Sequence, residues 1–145
     1  MRLSLRFLAA LCLVVSGSPA SADQTGFAIP GGFSCPVNAS AMARLELYFG
    51  LSKPDGGVVS DAEWDAFVAA EVTPRFPDGL TILSGYGQWR NAAQTIVREF
   101  SHVLIILYAP AADAELRIEA VRAAYKARFQ QESVMRIDSA SCVSF

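Results

Sequence analysis

The sequence predicts an α+β domain of the ferredoxin-like, split βαβ kind: an antiparallel four-stranded sheet with two helices on one face. Three observations carry that prediction. The elements read strand, helix, strand, strand, helix, strand. Arg44 to Leu51 alternates strictly, with Leu45, Leu47, Phe49 and Leu51 on one side and Arg44, Glu46 and Tyr48 on the other, which is the signature of a half-buried strand. Cys35 and Cys142 lie just before the first strand and just after the last. In this topology those strands are antiparallel neighbours, so the two flanking segments meet.

The chain of 145 residues has single-domain length, and its beginning reads as something other than that domain. Arg2 and Arg6 open it, Leu8 to Val15 is a short apolar run, and Ala20-Ser21-Ala22 is a small-x-small cleavage pattern. These are the regions of a secretory signal peptide over residues 1–22. The apolar run is well short of the ~20 residues a membrane span requires. Cys12 sits inside that run instead of after a small residue, which argues against lipidation. Loss of this segment removes two arginines, leaving ten Lys and Arg against fourteen Asp and Glu, a net of −4. A mildly acidic domain with no basic run has no electrostatic footprint for nucleic acid.

The two remaining cysteines, an even pair in an exported chain, read as a disulfide. The bridge closes a loop of about 107 residues. Residues 23–43 are rich in Gly, Pro, Ser and Ala without a period, and are taken as a leader pinned at Cys35, with the domain running from 44 to 145.

After the first strand, Pro54-Asp55-Gly56-Gly57 supplies a turn. Ser60 and Glu63 form a capping box that opens a helix with Trp64, Phe67, Val68 and Val72 on one face. Thr73-Pro74 ends it. A second strand follows the turn Phe76-Pro77-Asp78-Gly79 and runs from Leu80 to Arg90. A third, Thr95 to Tyr108, is apolar on both faces from Val103 onward, as a covered central strand would be. Asp113 to Phe129 is a second amphipathic helix, acids early and bases late, as the helix dipole favours. Glu132 to Asp138 is the last strand, which carries on loosely to Phe145.

The segments LYFGLSKPDGGVVSDAEWDAF, TPRFPDGLTILSGYGQWR, IVREFSHVLIIL and AYKARFQQESVMRI resemble the bacterial family called domain of unknown function 3574. The resemblance covers Arg44 to Phe145 and is most specific from Thr73 to Arg90. It implies a single exported domain and brings no particular chemistry.

Candidate site residues cluster where the second strand ends. Gly85-Tyr86-Gly87 lacks the downstream helix start that a phosphate-cradling turn needs, so nucleotide binding is rejected. Glycine inside a strand reads instead as a bend or bulge. Around it Tyr86 offers a ring and hydroxyl, Gln88 an amide, Trp89 a flat apolar face and Arg90 a planar fork. Alternation separates Tyr86, Gln88 and Arg90 from Trp89. Without a bulge Trp89 belongs to the core and the polar trio to the open sheet face; a bulge at either glycine turns Trp89 outward. On the paired strand, Arg98 and Glu99 are consecutive, and with Arg90 and Glu46 they form a candidate charged cluster.

His102, the single histidine, excludes a histidine-based metal site. It reads as a general base or a haem ligand or, more simply, as a hydrogen-bonded sheet residue. No nucleophile elbow accompanies it, and no cofactor is implied. The leading expectation is a non-catalytic, exported module binding a small ligand or a protein partner through Tyr86, Gln88, Trp89, Arg90, Arg98, Glu99 and His102. The alternative, on fold analogy, is a cofactor-independent oxygenase or isomerase of the dimeric α/β-barrel type. A purely structural envelope protein is a third reading. A face-to-face homodimer covering the open sheet face is the expected assembly.

Overall fold

A computed structural model describes residues 27–145; the proposed signal peptide lies outside the described residues. Strands β1 (Ser40–Gly50), β2 (Thr81–Arg90), β3 (Ile96–Tyr108) and β4 (Met135–Val143) form one antiparallel sheet in the order β2-β3-β1-β4. Helices α1 (Asp61–Phe67) and α2 (Ala114–Phe129) occupy the two crossovers. This is the ferredoxin-like α+β arrangement. No helix among the described residues is long and apolar enough to cross a membrane.

The first strand follows its alternation closely. Ala43, Leu45, Leu47 and Phe49 are fully buried beneath the helices, while Arg44, Glu46 and Tyr48 face the other way. Ser60 caps α1 by the reciprocal box with Glu63. The helix then widens into a π-helical turn, Val68–Val72, closed by Thr73 N donating to Val68 O at 2.9 Å. The wider turn keeps Val72 fully buried at the end of the helix. Phe49, Trp64, Phe67, Tyr125 and Phe129 form a continuous aromatic cluster, with Tyr125 4.6 Å from Phe49 and 5.0 Å from Phe67. Such edge-on pairs add about 0.5–1.5 kcal/mol each beyond simple burial.

Two boundaries move. β1 begins at Ser40, inside the stretch read as leader, because Ser40 pairs with Val143 and Ala43 with both Tyr108 and Ala140. β4 starts at Met135, later than Glu132, and continues past Asp138 to Val143, with nine consecutive residues partnered on β1. The Cys35–Cys142 disulfide is formed, with a Cα separation of 5.4 Å. It ties the segment before β1 to the end of β4, as the topology requires.

Candidate functional site

The hairpin of β2 and β3 decides where the candidate residues point. Its turn is fixed by Asn91, whose side chain accepts from Thr95 N at 2.9 Å and whose backbone N donates to Thr95 O at 3.0 Å. From Arg90↔Ile96 to Thr81↔Ile105 the register then runs without interruption. There is no bulge at Gly85 or Gly87, which corrects the bend read into those glycines.

Leu104, Ile106 and Tyr108 are buried under the helices, so the even-numbered residues of β3 and their β2 partners belong to that side. Tyr86, Gln88 and Arg90 are therefore on the helix side, opposite Phe100, Arg98 and Ile96. The helices do not reach that far along the hairpin, and the trio is exposed. Trp89 is on the open face beside Glu99. Both halves of the earlier reading are corrected: Trp89 faces away from the core without any bulge, and the polar trio is not on the open face.

The same parity breaks up the expected charged cluster. Arg90 and Arg98 lie on one face, Glu46 and Glu99 on the other. Glu46 is held by Arg44 Nε and by the Tyr48 hydroxyl, each at 2.9 Å, contacts that lower its pKa in that order.

What the open face does assemble is a cleft at the end of the sheet where β1 and β2 finish and β3 and β4 begin. It encloses about 360 Å³, with Tyr48, Trp89 and Met135 as apolar walls. Glu99 lies at its floor. Its Oε1 accepts from Trp89 Nε1 and its Oε2 accepts from Ser52 N at 3.0 Å. Among the described residues no cation pairs with this carboxylate.

Two glycines make the cleft. A Cβ on Gly50 would stand 2.6 Å from both Glu99 carboxylate oxygens, so only glycine lets the carboxylate cross β1 to reach Ser52. A Cβ on Gly87 would meet nothing within 4 Å and would project into the open space. Gly87, read from the sequence as part of a bend or bulge, is better explained as a missing side chain. Gly50, Ser52, Tyr48, Gln131 and Met135 escaped the sequence reading. Gly50 carried the one visible signal, a glycine closing an otherwise strict alternation on the exposed parity.

His102 is not part of the cleft. Its ring packs on Trp64 at 4.6 Å between centroids, on the helix side, and Nδ1 is buried with no hydrogen-bond partner among the described residues. Burial lowers its pKa from 6.5, against the opposing pull of Asp61 and Asp65. A depressed folded pKa makes the stability contribution complete above the unfolded value of ~6.5 and lost as pH falls toward the folded value, because the unfolded chain protonates first. An NMR titration of this sole imidazole is expected to show a midpoint below 6.5. A His102→Gln variant should lose less stability than wild type below that pH; a midpoint at or above it refutes the assignment.

The family model described as "Protein of unknown function (DUF3574)" matches residues 44–145. No curated protein matches the sequence. Among solved structures, a phage SAM lyase in complex with S-methyl-5'-thioadenosine is 14% identical, with a TM-score of 0.56 over 72% of this chain and 90% of that one. The same description in the apo state gives 16% identity and a TM-score of 0.51, covering 78% and 95%. CutA from Synechococcus elongatus, complexed with a Bis-Tris molecule, gives 17% identity and a TM-score of 0.44, covering 72% and 88%. At these identities the likeness to the SAM lyase is one of fold.

Proposed function

The chain belongs to the DUF3574 family, and from that premise and the geometry above we propose that it is an exported, non-catalytic ligand-binding module whose site is the Glu99 cleft. The ligand class is a small molecule with a flat, apolar part and a cationic or N–H donor group. One observation carries this reading: a carboxylate held by two donors at the floor of an apolar-walled cleft, with no cation beside it among the described residues. The Glu99 carboxylate is half-buried, and a cationic or N–H donor group on a ligand would add a charge-assisted hydrogen bond to it. Clefts of about 300–1,000 Å³ are the usual size for small-molecule sites.

Export to the periplasm or beyond is supported by the disulfide, which persists in oxidising compartments, together with the N-terminal pattern of residues 1–22. The enzyme alternative has less behind it. His102 is packed on Trp64 on the far side of the sheet, so it forms no acid–base pair with Glu99. Arg98 and Tyr86 are on that far side too.

The test is native mass spectrometry of the protein purified from its own compartment, followed by titration with S-methyl-5'-thioadenosine, the molecule bound in one fold neighbour. Expected is a retained small molecule, lost in Glu99→Gln and in Gly87→Val, which fills the cleft, with unchanged circular dichroism in both. A retained ligand indifferent to both substitutions, or wild-type protein free of ligand and unresponsive to the probe, sinks the proposal.

A further inference from the structure

The two edges of the sheet are treated very differently. At the β4 edge, Arg136 is bound to Asp138, Glu115 and Glu119, and Cys142 is bridged to Cys35. Charges and a covered end are the usual protection of an edge strand. At the β2 edge, Thr81–Arg90 holds no lysine, proline or bulge, and its first charge is Arg90 at the very end. Ile82, Leu83 and Tyr86 along it are exposed, as are Ile96 and Phe100 behind it. Ten regular residues with an unpaired row of N–H and C=O groups are a template for another strand.

The sequence of this edge is complementary to itself when reversed. Asp78, exposed and unpaired among the described residues, precedes the strand, and Arg90, equally unpaired, closes it. A parallel partner would set arginine against arginine. An antiparallel copy sets Arg90 against the other copy's acidic end.

We propose that β2 is a homodimerisation edge: two copies pair their β2 strands antiparallel about a two-fold axis at Gly85, giving one continuous eight-stranded sheet. With that axis Arg90 lies opposite the partner's Leu80, next to the turn before the partner's β2 that carries its Asp78. Leu83 lies over the partner's Gly87, an apolar side chain filling the space a missing one leaves. About ten inter-strand hydrogen bonds form along the edge. Because Gly87 also lines the cleft, the partner's Leu83 becomes its outer wall. That last clause rests on the cleft reading; the assembly does not, since sedimentation reports the one and ligand retention the other.

Sedimentation of the oxidised wild-type protein at micromolar concentration should give a dimer. Arg90→Asp and Asp78→Arg should each weaken it by about tenfold, and the double charge swap should restore it to within about threefold, because the coupling belongs to the pair. Ile137→Lys, on the open face of β4, should leave it unchanged. A monomeric wild type overturns the proposal. So does a dimer that ignores the charge swap, and so does one dissolved by Ile137→Lys, which would place the contact on the sheet face.

Discussion

Replacing Cys35 and Cys142 together by serine lowers the free energy of unfolding by about 4–5 kcal/mol, the largest single loss expected in this molecule. The bridge spans 107 residues of sequence, nearly the whole domain, so its removal restores almost the full loop entropy of the unfolded chain. For a domain of this size the melting temperature falls by roughly 20 °C. Locally the bridge anchors residues 27–39, which contain no strand or helix. Reduction should therefore expose that segment to protease before the sheet opens. Urea melts with and without reductant measure the first effect, and limited proteolysis the second. A loss below ~1 kcal/mol would mean that the paired ends of β1 and β4 already hold the termini together in the unfolded ensemble.

The fold was legible because each element announced itself by a local rule. Leu45, Leu47 and Phe49 alternate, Ser60 and Glu63 cap, and the cysteines sit where antiparallel β1 and β4 end. The site was less legible, since which face Trp89 occupies depends on its partner across the hairpin. That partner, Val97, is set by the Asn91 turn and not by anything within β2. The charged cluster failed for a related reason. Arg98 and Glu99 are neighbours in sequence and so belong to opposite faces of the sheet. Gly50 shows a third limit: its purpose is visible only when a carboxylate from a strand 49 positions later lies across it. Tyr86 and Trp89 were picked out by residue type, yet only Trp89 lines the cleft.

Phe49→Ala is expected to cost about 3–5 kcal/mol, the range for deleting a buried phenylalanine. Phe49 is fully buried and packs edge-on against Trp64, Phe67 and Tyr125, at 5.2, 5.9 and 4.6 Å between ring centroids. Three elements, β1, α1 and α2, meet at this ring, so little of the cavity can close. Phe100→Ala is the natural control. That ring also makes an edge-on contact, with Tyr86 at 5.0 Å, but it is 64% exposed, and its loss should cost no more than ~1 kcal/mol. The core substitution should reach the cleft as well. The residue after Phe49 is Gly50, whose carbonyl accepts the Tyr125 hydroxyl at 2.9 Å and whose bare Cα lets Glu99 cross to Ser52. If Phe49 positions that floor, ligand retention weakens in Phe49→Ala even well below its melting point, whereas Phe100→Ala retains ligand as wild type does. Equal chemical denaturation midpoints for the two variants would show that burial at Phe49 does not organise the core, and unchanged ligand retention in Phe49→Ala would separate the aromatic cluster from the cleft above it.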